Sequence, residues 1–214
     1  MTPPEYEYLR KLLKDQSGLD LSTDKQYLIE SRLLPLSREC GLSGISGLVQ
    51  TMKAGSASVI AQVVEAMTTN ETFFFRDKVP FDRFRDTIMP EMLKERASRK
   101  SVRIWCVAGS TGQEPYSLAM CLKEMGPRLA GWRIEIVATD LSREVLEKSR
   151  AGIYSQFEVQ RGLPIQMLVS TSGRPESSGR STPRFAPWSN TGTSICCTIF
   201  PSSEFSMWCS AATC

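Results

Sequence analysis

Residues 107–117 read Val-Ala-Gly-Ser-Thr-Gly-Gln-Glu-Pro-Tyr-Ser, a glycine turn between two different apolar patterns. Alternating apolar residues across 101–107 predict a β-strand before it, and apolar residues at helical spacing across 118–125 predict a helix after it. Gly109 and Gly112 would let the backbone approach a ligand, and N–H groups at the start of the helix favour an anion. The Gly-x-x-Gly spacing is not that of a dinucleotide site, and alone it fits an ordinary strand-to-helix turn equally well.

A second strand pattern ends at an acidic residue. Residues 133–138 predict a short strand, and Ser142 is placed to cap a helix that runs through Arg150 and ends at Gly152. Asp140 follows the strand, where nucleoside-binding folds place a carboxylate that accepts both ribose hydroxyls. The alternative is that Asp140 only caps the helix.

The first 68 residues predict helices alone. Apolar stripes indicate one helix near the N-terminus, a second that begins at Ser22 or Thr23 and runs to Leu36, and a third after Gly55-Ser56. These helices would form a small bundle.

Residues 77–99 predict a long amphipathic connector that Pro90 must kink or divide. Its inward side chains are predicted to be Phe81, Phe84, Ile88, Met92 and Leu93.

Composition excludes several classes of protein. The net charge of +3 comes without a dense basic run, and no apolar stretch is long enough to span a bilayer, so neither nucleic-acid binding nor membrane insertion is expected. The N-terminus lacks the features of a signal peptide, which predicts a cytoplasmic chain with reduced thiols. Seven cysteines, no histidine and no Cys-x-x-Cys pair predict no metal site.

Three blocks in this order resemble a known family. Residues 70–76 follow the pattern Asn-x-Thr-x-Phe-Phe-Arg, residues 110–117 read Ser-Thr-Gly-Gln-Glu-Pro-Tyr-Ser, and residues 138–142 read Ala-Thr-Asp-Leu-Ser. Together they are similar to the CheR-type chemotaxis methyltransferases, and the resemblance runs from about residue 5 to Val169. The family uses S-adenosylmethionine to methylate glutamate side chains of bacterial chemoreceptors, with S-adenosylhomocysteine as product.

The resemblance implies an α/β fold and a set of site residues. A small all-α domain would precede a Rossmann-like S-adenosylmethionine-dependent methyltransferase domain that is incomplete at its C-terminus. Carried over by motif, Asn70, Thr72 and Arg76 would contact the cofactor, Glu114 would lie beside the glycine turn, and Asp140 would hold the ribose. Arg76 is also the candidate catalytic residue, because its planar fork binds a carboxylate at two points.

The expected domains are residues 1–68, residues 69–169 and a tail, residues 170–214. The expected partner is the cytoplasmic domain of a chemoreceptor, and the chain is expected to be a monomer. In the family a basic second helix is thought to face the receptor. Here that helix carries Lys25, Arg32 and Arg38, for which a solvated charged face is an equally good interpretation.

The tail departs from the family. It is rich in Ser, Thr, Pro and Gly, shows no helical or strand period, and is expected to be irregular and exposed. It resembles translation in a wrong reading frame after Val169, and a genuine disordered or stabilising extension is the alternative. The family supplies a receptor-docking subdomain, an Asn that completes the cofactor site and a catalytic Tyr in this region, yet no Tyr follows Tyr154 here and the only later Asn is Asn190.

Two other functions stay open. A non-catalytic module that binds an adenosyl ligand would bind the cofactor without methyl transfer. A nicotinamide-dependent oxidoreductase fits the fold but not the Gly-x-x-Gly spacing, and would prefer a dinucleotide to S-adenosylhomocysteine.

Overall fold

The computed structural model describes residues 1–171 and 193–199. The chain divides at Thr69 into two compact units, one formed by Met1–Thr69 and the other by the described part of Asn70–Ile199. The first unit contains only helices within these residues, which are α1 (Pro3–Ser17), α2 (Gln26–Glu39), α3 (Gly44–Lys53) and α4 (Ala57–Met67). The expectation of an N-terminal all-α domain is confirmed.

The core of the first unit comes from the apolar stripes of its helices. Leu9 and Leu13 of α1, Ile29 and Leu33 of α2 and Leu48 of α3 are fully buried in one cluster. Helix α3 was not predicted from the sequence, because two glycines fall within its ten residues and weaken its helical signal. Its buried side chains nevertheless complete the core.

The second unit begins with a connector that is divided close to Pro90, as predicted. Helix α5 (Val79–Arg83) leads into a π-helical turn (Phe84–Ile88) and then α6 (Met89–Glu95). The prediction that Ile88 points inward is wrong, since Ile88 is 48% exposed and its neighbour Met89 is 1% exposed. A π-turn holds one extra residue, which shifts the buried position along the chain by one place.

A parallel sheet forms the centre of this unit. Strand β1 (Ser101–Cys106) pairs with β2 (Arg133–Asp140), so that Ser101 lies beside Arg133 and Cys106 beside Ala138. Helix α7 (Gln113–Met125) and a short 3-10 helix (Gly126–Leu129) form the crossover between them. After β2 come α8 (Arg143–Ala151), α9 (Gln156–Gln160) and α10 (Ile165–Thr171).

A third strand lies within the predicted tail. Strand β3 (Thr193–Ile199) pairs in parallel with β2, giving the order β1-β2-β3. The structure differs here from the expectation of an irregular tail. A strand of seven residues carries too little period to be read from sequence, but its Thr, Ile and Cys residues suit a partner strand that exposes unpaired backbone groups. The rest of the predicted irregular segment, 172–192 and 200–214, lies outside the described residues.

No helix among the described residues has both the length and the apolar composition needed to cross a membrane.

Candidate functional site

The glycine turn after β1 lies directly against the end of β2. The N–H of Gly109 donates to the carbonyl of Thr139 at 2.9 Å, and a Cβ on Gly109 would come within 2.9 Å of the Cβ of Ala138. Gly112 has a φ of +98°, and a Cβ there would lie 2.6 Å from the hydroxyl of Tyr154. A side chain at either position would therefore collide with the protein itself, so both glycines are required by close packing inside the domain.

Ser110 joins two of the predicted site residues. Its N–H donates to one carboxylate oxygen of Asp140 at 2.8 Å, and its hydroxyl donates to the backbone carbonyl of Asn70 at 3.0 Å. Ser110 is buried and has a φ of +46°, a conformation that is uncommon for a residue with a side chain. The three sequence blocks therefore meet at Ser110.

Asp140 is fixed at the carboxyl end of β2 by backbone donors. Its second oxygen accepts a hydrogen bond of 3.0 Å from the N–H of Ser142, whose hydroxyl in turn caps α8 by accepting from Val145. Asp140 is only 8% exposed. The predicted Ser142 cap is present, and Asp140 links the cap to the glycine turn. Its carboxylate thus has a structural role at the helix start.

The 70–76 motif packs by its phenylalanines. Phe74 is fully buried against Tyr154, with ring centroids 5.1 Å apart in an edge-to-face arrangement. The N–H of Phe75 donates to the hydroxyl of Ser117 at 3.0 Å. Phe75 and the two residues after Arg76, Asp77 and Lys78, all have positive φ. A run of such residues is strained, and strain of this kind is concentrated at functional sites.

The guanidinium groups of Arg76 and Arg161 both lie against the ring of Phe73. The guanidinium of Arg76 lies 5.7 Å from the ring centre of Phe73, and that of Arg161 lies 4.6 Å from it. Arg161 also donates to the carboxylate of Glu71 at 2.6 Å, and this hydrogen bond lowers the pKa of Glu71. Arg76 donates to the backbone carbonyl of Glu71 at 3.1 Å, and its side chain remains 52% exposed.

The structure brings some of the predicted site residues together and leaves others apart. Asn70 and Asp140 are bridged by Ser110, and Thr72 lies half-buried in the same motif as Arg76. Glu114 is exposed on the first turn of α7, with no hydrogen bond or ion pair among residues 1–171. Assignment of these residues to a cofactor remains a prediction.

Sequence reasoning missed Ser110, Ser117 and Arg161 as members of the site. Both serines stood in a quoted block. Ser110 lies between the two glycines of the turn and Ser117 lies inside α7, and their small polar side chains were the available signal. Arg161 had no signal, because nothing local to it marks a partner ninety positions earlier.

The predicted basic face of α2 is only partly available to a partner. Arg32 donates to the carbonyls of Met67 and Thr68 at 2.6 and 2.9 Å, so it holds the end of α4. Arg38 is exposed and has no ion pair among the described side chains. Arg32 therefore has a structural role within the bundle, whereas Arg38 is available to solvent or to a partner.

Comparisons with known proteins agree with this architecture. Residues 4–68 match the family described as "CheR methyltransferase, all-alpha domain", and residues 70–181 match "CheR methyltransferase, SAM binding domain".

Curated relatives are named chemotaxis protein methyltransferases. Chemotaxis protein methyltransferase 1 of Pseudomonas aeruginosa is 39% identical over 169 residues, which is 77% of this chain and 61% of that protein. The protein of that name in Vibrio cholerae is 41% identical over 162 residues, covering 74% of this chain and 58% of the relative. The chemotaxis protein methyltransferase of Escherichia coli is 30% identical over 171 residues, 78% of this chain and 56% of the relative. The chain thus spans about three-fifths of the length of these relatives.

The glycine turn joined to an acidic strand end, the helical first unit and the matches to both domains lead to one assignment: this chain belongs to the CheR methyltransferase family.

Proposed function

We propose that this chain binds S-adenosylmethionine at the carboxyl ends of β1 and β2, and that the complete protein transfers the methyl group to glutamate side chains of chemoreceptors. The observation that carries the proposal is the connection from Asn70 through Ser110 to Asp140, with hydrogen bonds of 3.0 and 2.8 Å. It places a carboxylate and a strained turn together at the carboxyl edge of a parallel sheet, where open α/β folds bind nucleosides.

The donor and acceptor groups present fit the proposed cofactor. An ionised carboxylate offers about four lone-pair sites, and Asp140 uses one on each oxygen for the N–H groups of Ser110 and Ser142. A second site on each oxygen stays available to accept from a ribose hydroxyl. The side-chain amide of Asn70 makes no hydrogen bond among the described residues, which leaves it free for a polar group of the ligand.

The chemistry asks the protein for positioning. When bound, S-adenosylmethionine supplies an electrophilic methyl group on a sulfonium. The substrate glutamate, with an ordinary pKa of about 4.3, is already ionised at neutral pH, so its oxygen forms the new C–O bond as the C–S bond breaks, without a general base. The half-exposed fork of Arg76 is suited to hold a carboxylate in line, whether the cofactor's own or the substrate's.

A receptor surface on α2 is supported by exposed groups. Arg38 presents a cation, and Tyr27 and Leu34 present large apolar side chains on the same helix. Because positions 27, 34 and 38 are spaced seven and four residues apart, their side chains share one face of α2 and could contact an acidic, partly apolar helix together. Arg32 is not included, because its guanidinium already binds the end of α4.

The test separates binding from transfer. Calorimetry with S-adenosylhomocysteine should show binding to this chain, weakened in Asp140→Asn and unchanged in the matched control Glu124→Gln, an exposed acid on α7. Methyl transfer is assayed with labelled S-adenosylmethionine on receptor membranes, comparing this chain with one whose reading frame is restored after Val169. Binding without transfer in both chains would favour the non-catalytic module, and tighter binding of a dinucleotide would favour the oxidoreductase.

A further inference from the structure

A cavity of about 510 Å³ lies at the amino ends of β1 and β2. Its wall includes the first residue of each strand, Ser101 and Arg133, and Arg96 and Arg99 from the chain after α6. At about 3.3 Å per residue, the strands separate this cavity from Asp140 by roughly 20 Å. The cavity is therefore distinct from the proposed cofactor site.

The charges that line the cavity are unbalanced. It is lined by four arginines and one glutamate. The glutamate, Glu135, is occupied by Arg103, its neighbour in the sheet register, which donates from Nε at 2.7 Å. The side chains of Arg96, Arg99 and Arg133 have neither a hydrogen bond nor an ion pair among the described residues.

The shape of the cavity suits a small ligand. Its volume falls within the range of about 300–1,000 Å³ that is common for small-molecule sites. Met92, which is half-buried, and Val102, which is buried, contribute apolar surface to the wall. Three unpaired cations around one concavity concentrate positive potential inside it, which favours a small anion that can enter the cavity. A flat basic surface would instead spread the potential and favour a large partner such as a protein.

We propose that this cavity binds a small ligand that carries two or more phosphate groups. Guanidinium forks bind phosphate oxygens at two points, and the hydroxyl of Ser101 can donate to a third oxygen. Neutralisation by the ligand removes the mutual repulsion of Arg96, Arg99 and Arg133. Arg103 stays paired with Glu135.

Inorganic tripolyphosphate is the probe for this site. Calorimetry at physiological ionic strength compares the unaltered chain with Arg96→Gln, Arg99→Gln and Arg133→Gln. Because all three arginines are exposed, these variants should fold, which circular dichroism checks. Arg128→Gln is the matched control, since Arg128 is an exposed arginine shortly before β2 that does not line the cavity. Each cavity variant should weaken binding about tenfold, and the control should leave it unchanged.

Two further measurements make the result specific. Saturation with S-adenosylhomocysteine should not displace tripolyphosphate, and a short polyglutamate peptide should bind much more weakly at equal charge. Competition by S-adenosylhomocysteine, equal binding of the peptide, or equal losses in the control and the cavity variants would each overturn the proposal. No detectable binding of tripolyphosphate to the unaltered chain would do the same.

Discussion

Arg161 donates a hydrogen bond of 2.6 Å to the carboxylate of Glu71, and its guanidinium also lies 4.6 Å from the ring centre of Phe73. The same ring has Arg76 at 5.7 Å. The segment after α9 therefore holds the motif that carries the candidate catalytic residue. The pKa of Glu71, which this hydrogen bond lowers, therefore reports on the contact without an activity assay.

Replacing Arg161 by Gln should raise the pKa of Glu71 toward its ordinary value, because the hydrogen bond from Arg161 is what chiefly lowers it. A carboxyl group whose pKa is lower in the folded than in the unfolded protein stabilises the fold at pH values above its unfolded-state pKa. This contribution is lost as the pH falls through the folded-state pKa. The part of the stability difference between Arg161→Gln and the unaltered chain that comes from the hydrogen bond to Glu71 should thus vanish in acid, whereas the part that comes from the contact with Phe73 should persist. Both parts should be small at neutral pH, since the two charged side chains are about half exposed.

Titration of the Glu71 carboxyl by NMR measures this shift directly. Arg143→Gln is the control, an exposed arginine at the start of α8 with no ion pair among the described residues. A Glu71 pKa that is the same in all three proteins would show that the hydrogen bond does not persist in solution.

Replacing Asp140 by Asn should lower both stability and cofactor affinity. Asn offers one carbonyl oxygen where Asp140 accepts from two backbone N–H groups, of Ser110 and Ser142, so one buried donor loses its partner. That costs about 1–3 kcal/mol of the free energy of unfolding. Denaturant unfolding measures the loss, and calorimetry with S-adenosylhomocysteine, at a temperature where both proteins are folded, measures the change in binding.

The conservative variant Glu147→Gln controls for loss of a negative charge on the neighbouring helix, where Glu147 is exposed. If Asp140→Asn loses stability but binds S-adenosylhomocysteine as tightly as the unaltered chain, Asp140 is a structural residue alone. Unchanged stability would contradict the two hydrogen bonds themselves.

Local signals predicted the elements that surround the site, and contacts distant in sequence account for what was missed. Ser142 as a cap, Gly152 as a helix end and Asp140 at a strand end each follow from neighbours in the chain. The partner of Arg161 depends on the tertiary fold, which no local pattern encodes. Ile88 was misplaced because periodicity assumes a regular α-helix, and the π-turn before Met89 breaks that assumption.

Gly112→Ala should be more destabilising than Gly18→Ala. Both glycines lie in the left-handed helical region, so each substitution carries a backbone cost of about 1–2 kcal/mol. A Cβ on Gly18 meets no atom within 4 Å, whereas one on Gly112 meets the hydroxyls of Ser149 and Tyr154. Overpacking there should add about 1–3 kcal/mol. Equal unfolding free energies for the two variants would refute the close packing of the glycine turn.

Cys121 should resist alkylation far longer than Cys40. Burial raises the pKa of the Cys121 thiol to about 11, while Cys40 is half-exposed on the other unit. The thiolate is the reactive form, so Cys121 should react slowly at a pH of about 8 until the chain unfolds. Peptide mapping after iodoacetamide treatment measures both rates. Comparable rates in the folded protein would place Cys121 near the surface.

Arg76→Lys should reduce function much more than stability. Lysine keeps the charge but loses the planar fork that binds a carboxylate at two points. The side chain of Arg76 is 52% exposed, and its contacts with the carbonyl of Glu71 at 3.1 Å, the ring of Phe73 at 5.7 Å and the exposed carboxylate of Asp77 at 4.0 Å are weak, so the melting temperature should change little. The measurements are thermal unfolding, calorimetry with S-adenosylhomocysteine, and methyl transfer in a chain whose residues after Val169 are retranslated in another reading frame.

The same variant distinguishes the two carboxylates that Arg76 is suited to bind. S-adenosylhomocysteine retains the amino-acid carboxylate of the cofactor, so a loss of affinity for it in Arg76→Lys assigns Arg76 to the cofactor. Unchanged affinity with reduced methyl transfer assigns Arg76 to the substrate glutamate instead. Arg143→Lys, an exposed arginine outside the motif, should change neither quantity. If Arg76→Lys also changes neither, Arg76 is only a structural partner of Glu71 and Phe73, and positioning of the carboxylate must come from another residue.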